Sequence, residues 1–200
     1  SSPAWKKLVV SSPGSHTKAQ RPAGEVVIER NLRIPMRDGT ELGATLWRPG
    51  RKSSYPALVE RGPHRLEECT GAAGQYYAAR GYCVLSVGLR GCSGSGGEFR
   101  GPIPGSPRGD GYDTIEWTAV QDWCNGHVGM LCGSISGLTQ YQTVVEAPPH
   151  LDALLVREGL FGLGDASIFS PLVLHFVAAS WTENQLEHYP PEKLAKAKRL

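Results

Sequence analysis

Residues Val128 to Val145, VGMLCGSISGLTQYQTVV, constrain this chain more than any other stretch. A short apolar run (Val128, Met130, Leu131) enters a cluster of small residues, Cys132-Gly133-Ser134-Ile135-Ser136-Gly137, and leaves with the spacing of an amphipathic helix. Such a pattern predicts a strand, a sharp turn and a helix in immediate succession. A serine on that turn stands above the sheet edge, beside the unpaired backbone N–H groups that begin every helix. Acyl chemistry requires this juxtaposition, because an oxyanion forms only where donors already wait for it. The same residues could also serve simply to pack a helix closely on a strand.

Composition narrows the classes. With 200 residues, 40% hydrophobic and 20% charged, the chain can bury one real core. Its formal net charge is +2 and its basic residues are scattered, apart from Lys193–Arg199. No basic stripe points to nucleic acid, and that short cluster fits a solvated helix end. No apolar run reaches the roughly 18–20 residues that span a bilayer. Ser1–Gly24 also lacks the apolar region of a signal peptide. Five cysteines (69, 83, 92, 124, 132) without C-x-x-C spacing predict reduced thiols, with Cys83 and Cys132 inside buried strands, rather than a disulfide framework or a zinc site. The expectation is a cytoplasmic protein without a metal or other cofactor.

Along the chain, residues 1–24 read as an N-terminal tail. Glu25 to Pro49 reads as an antiparallel pair joined at Asp38-Gly39. Tyr55–Glu60 is a short apolar strand, followed by the loop Arg61-Gly62-Pro63-His64-Arg65, a helix around Gly74–Arg80 and a continuous apolar strand at Tyr82–Val87. A Gly-rich loop (Leu89–Phe99) and a helix from Asp110 to Trp123 precede the serine-bearing strand; Leu151–Val156 follows as a further buried strand. Strands alternating with helices predict an α/β fold, a mostly parallel sheet covered on both faces. Functional residues then belong at the carboxyl ends of the strands, where His64, the Gly-rich loop and Ser134 fall. Residues 25–166 form the core in this reading, and 167–200 begin a helical cap.

The order of these segments is familiar. Ile34-Pro35-Met36-Arg37-Asp38-Gly39-Thr40-Glu41-Leu42, the Arg61-Gly62-Pro63 turn, Arg90–Phe99, Gly111–Trp117 and Trp123–Met130 precede the serine turn. In this order the chain resembles the cocaine esterase / X-Pro dipeptidyl-peptidase group of α/β-hydrolases, which includes α-amino-acid ester hydrolases and glutaryl acylases. The resemblance implies an α/β-hydrolase fold with Ser134 as nucleophile in a G-x-S-Y-x-G turn and the Ile135 N–H in the oxyanion hole. Ser136, already in the first helical turn, is the alternative nucleophile. Four positions depart from the family pattern. Cys132 replaces a glycine, Ile135 replaces a tyrosine, and Gly88 stands where an aspartate is usual. His64 stands where a tyrosine completes the oxyanion hole, a donor that an imidazole N–H could replace. Arg90 and Glu98 are expected to tether the Gly-rich loop through exposed ion pairs.

A serine nucleophile needs a base within hydrogen-bond reach and an acid to orient it. In this fold both follow the serine on later strands. His150 lies in a Pro-Pro turn on the wrong edge, His175 and His188 lie in helical stretches, and Asp152 and Asp165 read as strand-edge and loop residues. Base and acid are therefore expected beyond residue 200, in a remaining C-terminal segment or a partner chain, and without that segment one sheet edge stands open. The expected activity is a serine esterase or amidase acting on a small-molecule ester or amide, with no nucleic-acid or membrane partner. The alternatives are a biosynthetic enzyme of the same fold with non-hydrolytic chemistry (acyl transfer, cyclisation or bond cleavage), or a catalytically silent binding module.

Overall fold

A computed structural model describes residues 24–64, 66–67, 70–100 and 109–157. Six strands and three helices alternate in it: β1 (Val26–Pro35), β2 (Glu41–Pro49), β3 (Tyr55–Gly62), α1 (Gly71–Ala78), β4 (Cys83–Gly88), α2 (Asp110–Ala119), β5 (Cys124–Gly133), α3 (Ser134–Val145) and β6 (Leu151–Arg157). The tail and the cap segment expected at the two ends lie outside the described residues, save Gly24.

The strands form one sheet in the order β1-β2-β4-β3-β5-β6. β1 and β2 run antiparallel, as do β2 and β4; β4, β3, β5 and β6 are all parallel. This is the expected α/β-hydrolase fold, a mostly parallel sheet with helices on both faces. The Asp38-Gly39 signal gives the expected hairpin, closed by Met36 N–H to the Thr40 carbonyl (2.8 Å), with Gly39 at φ +82°.

Two apolar layers hold the sheet. Ile34, Leu42, Leu46, Val59, Leu85, Val87 and Met130 form the larger one with Ile115 and Ala119 of α2. On the opposite face Trp47, Val84 and Leu58 pack with Ala78 and Tyr77 of α1. The chain leaves β3 toward β4 and leaves β5 toward β6, yet β3 and β5 are neighbours. The strand order therefore reverses between them, and the carboxyl ends of β3 and β5 flank the crevice that such a reversal opens.

Four expectations about these elements are corrected. Helix α2 stops at Ala119 rather than Trp123; Val120 is exposed, and Trp123 packs against the larger core from the turn before β5. Helix α3 is not apolar on its buried side, which consists of Ser136, Gly137, Thr139, Gln140 and Thr143. It is held by directed bonds instead, among them Thr139 Oγ1 to the Arg61 carbonyl (2.9 Å) and Gln140 Nε2 to the Cys132 carbonyl (3.0 Å). Each such bond contributes a net ~1 kcal/mol. The apolar run Leu151–Val156 is not buried; β6 is the edge strand of the described sheet, with Leu155 49% exposed. Cys132 is half-buried rather than a core thiol, whereas Cys83 is fully buried; all four described cysteines are free. No described helix is long and apolar enough to cross a membrane.

Candidate functional site

The junction of β5 and α3 is a tight bend. Cys132 has φ +133° and Ser134 φ +54°, flanking an extended Gly133 at φ −122°. Both positive values lie where an L side chain is strained, at a cost of about 1–3 kcal/mol each. The strain at Cys132 explains why glycine suits this position, since only glycine adopts such a φ freely. Ser134 is exposed at the first residue of α3, and Ile135 beside it is half-buried. The opening amides of α3 have no side-chain cap, so they remain donors without an intrahelical partner. Ser136 sits differently: it is 2% exposed, and its hydroxyl donates to Glu60 Oε1 at 2.6 Å. A hydroxyl so covered and committed has no open approach to a carbonyl carbon. Burial pushes the Cys132 thiol pKa up; Glu60's charge adds to the shift and Ser136 opposes it.

Residues Glu60 to Gly62 face the first turns of α3. Val59 pairs with Met130 across β3 and β5, which brings the end of β3 level with the serine bend. His64 is half-buried in the loop beyond, and its carbonyl accepts Ser93 Oγ at 2.5 Å. The loops after β3 and β4 are thereby joined. Glu60 and Arg61, both nearly fully buried, carry opposite charges to opposite faces of the strand. Glu60 accepts from Ser136, Ser86 (2.6 Å) and Thr70 (3.1 Å). Arg61 Nη1 donates to Thr143 Oγ1 at 3.4 Å, while Nε and Nη2 have no hydrogen-bond partner among the described residues. Burial pulls the Arg61 guanidinium pKa down, opposed by Asp110, Glu146 and Glu60. The sequence reading missed this pair. The available signal was two charged residues ending an otherwise apolar strand.

The Gly-rich loop is tethered, but not as expected. Arg90 donates from Nε and Nη2 to Asp110 (2.8 and 2.6 Å) and from Nη1 to Asp38 and Thr40 (2.7 and 2.8 Å). The Arg90 and Asp110 side chains are only 11% and 3% exposed, so this is a shielded pair. Among the described residues the one ion pair of Glu98 is with Arg100, at 3.4 Å, both well exposed. Arg37 in turn grips Asp113 through its backbone N–H and its guanidinium. Burial raises the Asp113 pKa, but the several contacts with Arg37 outweigh it and hold the carboxyl below its ordinary range. Gly88, where the resemblance leads one to expect aspartate, faces Cys92, Ser93 and Ser95. A Cβ there would lie 2.7 Å from the Cys92 carbonyl oxygen.

Two histidine–carboxylate pairs lie at the other end of the sheet. His127 Nδ1 is 2.7 Å from Asp152 Oδ2, and His150 Nδ1 is 2.7 Å from Glu116 Oε2. His127 precedes Ser134 by most of β5, a separation of about 20 Å at 3.3 Å per residue. Neither pair reaches the serine. His175, His188 and Asp165 lie outside the described residues. Among the described residues no three His, Cys, Asp or Glu side chains gather as a metal site.

Comparison with known proteins agrees with this architecture. The family model for X-Pro dipeptidyl-peptidase (S15 family) matches residues 38–197. Cocaine esterase from Rhodococcus sp. (strain MB1 Bresler) is 32% identical over 156 residues, covering 72% of this chain and 27% of that protein. The chain thus spans about a quarter of the length of this curated relative. A CocE/NonD family hydrolase from Staphylococcus aureus superposes with a TM-score of 0.55 at 24% identity, over 66% of this chain and 27% of its own. An α-amino acid ester hydrolase does so with the same TM-score at 23% identity, over 77% and 28%. Both solved structures share the fold.

Proposed function

Because the chain belongs to the X-Pro dipeptidyl-peptidase (S15) family, we propose that it is the nucleophile-bearing part of a serine hydrolase that cleaves an ester or amide through an acyl-enzyme on Ser134. One observation carries this reading: an exposed serine at φ +54° on the bend between β5 and α3. A strained non-glycine conformation at a crevice, beside the opening amides of a helix, is an arrangement suited to a nucleophile rather than to packing.

In the first step Ser134 Oγ bonds to the substrate carbonyl carbon and gives its proton to a general base. The carbonyl oxygen, now negative, takes a hydrogen bond from the Ile135 N–H and a second from the His64 imidazole. The leaving alcohol or amine departs with the proton from the base, and water then hydrolyses the acyl-serine by the same steps. The base and its orienting acid come from outside the described residues, since His127 and His150 are paired at the far end of the sheet. The names of the family and of the esterase relative support amide and ester substrates respectively.

A fluorophosphonate probe tests the reading on the natural polypeptide that contains this chain. It should label the peptide bearing Ser134 stoichiometrically, and Ser134→Ala should abolish both labelling and ester turnover. Unchanged turnover in Ser134→Ala would exclude the covalent route.

A further inference from the structure

Glu60 has no counterpart in the proposed chemistry, yet it is the most heavily committed carboxylate near the bend. It is 3% exposed, and three hydroxyl groups converge on it. Ser136 Oγ donates to Oε1 at 2.6 Å; Ser86 Oγ and Thr70 Oγ1 donate to Oε2 at 2.6 and 3.1 Å. These donors come from three different elements: the first turn of α3, strand β4 and the N-cap of α1. No described salt bridge involves Glu60, and its hydrogen-bond partners among the described residues are these hydroxyl groups. Such charge-assisted bonds are short and strongly directional.

The neighbouring backbone leaves space for this cluster. A Cβ added at Gly62 would lie 2.5 Å from Ser136 Oγ and 2.6 Å from Glu60 Oε1. The Glu60–Ser136 bond occupies the volume where any other residue at 62 would place its side chain. An apolar residue at 60 would fill the core without the cost of burying a carboxylate. What the carboxylate adds is direction. Ser136 lies two residues beyond Ser134, within the same helical turn, so fixing its side chain fixes the rotation of that turn.

We propose that Glu60 is a positioning residue: by holding Ser136, it sets how the first turn of α3 presents the Ser134 hydroxyl and the Ile135 amide. This rests on the reading of Ser134 as nucleophile. A displacement of about 1 Å at a nucleophile can cost about 100-fold in rate.

The test uses the natural polypeptide with Glu60→Gln, Ser136→Ala and the double variant. The readouts are the rate constant of fluorophosphonate labelling at Ser134 and the kcat and KM for a nitrophenyl ester. Each single variant should label about 10- to 100-fold more slowly, with kcat falling in parallel and KM within about two-fold. The double variant should be no slower than the slower single, because both act on the same Glu60–Ser136 bond, Ser136→Ala by deleting its donor and Glu60→Gln by removing the acceptor's charge. Ser136→Ala leaves Glu60 two of its donors, so it carries the test if Glu60→Gln does not fold. Parental labelling rates in a folded Ser136→Ala protein, or losses that multiply in the double variant, would overturn the proposal alone. Failure of the parent protein to label at Ser134 would overturn the nucleophile reading, and this proposal with it.

Discussion

The sharpest stability prediction concerns Gly88. A methyl group placed there would meet the Cys92 carbonyl oxygen at 2.7 Å, Ser93 Cβ at 2.9 Å and Ser95 Oγ at 2.9 Å. The first of these is backbone and cannot simply rotate away. Forcing extra bulk into a packed site costs about 1–3 kcal/mol. Ser95 Oγ would also be pushed from its double role, accepting the Gly43 N–H (2.8 Å) and donating to the Gly88 carbonyl (2.8 Å). Losing those two bonds adds about 0.5–1.5 kcal/mol each. Partial relaxation of the loop offsets some of this, so Gly88→Ala should destabilise the protein by about 2–4 kcal/mol. For a domain of this size that corresponds to a fall in Tm of about 5–15 °C. Urea and thermal unfolding provide the measurement, with Ser95→Ala as the comparison that removes the bonds without the clash. Gly88→Asp, the residue the family pattern favours, should be worse still, because it places a charge in the same space. If Gly88→Ala melts within about 2 °C of the parent, the loop does not press on β4 as described and the reasoning fails.

Four further outcomes are expected. Asp110→Asn removes the charge of the shielded partner of Arg90, leaving the more exposed Asp38 as its counter-charge, and should cost about 2–3 kcal/mol in urea unfolding; a loss of only a few tenths would mean that water reaches the pair. Burial pushes the Cys83 thiol up to about 12 and Cys92 up to about 11, above the ordinary 9.0. Both should therefore resist a disulfide-exchange reagent at pH 8 until the protein unfolds, and rapid native-state labelling would contradict this. Because the folded state holds those protons more tightly, their contribution to stability should decline as the pH rises from about 9 toward 12. Trp47→Ala empties the core between β2 and α1 and should cost about 3–5 kcal/mol, read from the shift in the urea midpoint.

The sequence carried the fold well where one local signal acted alone. Asp38-Gly39 marked the hairpin, and Tyr82–Val87 was apolar enough to mark a buried strand. The bend at Ser134 was visible because small residues interrupt two regular periods. Other features depend on contacts between distant segments. Leu151–Val156 has the composition of an interior strand, and nothing local reveals that it stands at the edge of the described sheet. The buried side of α3 is polar because its hydroxyls meet the end of β3, which no helical periodicity encodes. Glu60 and Arg61 were legible only as charges ending a strand; their partners lie 10 to 82 residues away. Helix α2 was overextended because Trp123 looks like a continuation of its apolar face, although the tryptophan reaches the core from a turn.

Arg37 joins Asp113, and Arg90 joins both Asp38 and Asp110. The hairpin tip, the glycine loop and the head of α2 are thus knotted by two guanidinium groups, though they lie far apart along the polypeptide. Three segments that look like separate signatures are one ionic assembly written in instalments. Anyone transplanting the glycine loop into another scaffold, or exchanging the hairpin, would have to carry the counter-charges along with it.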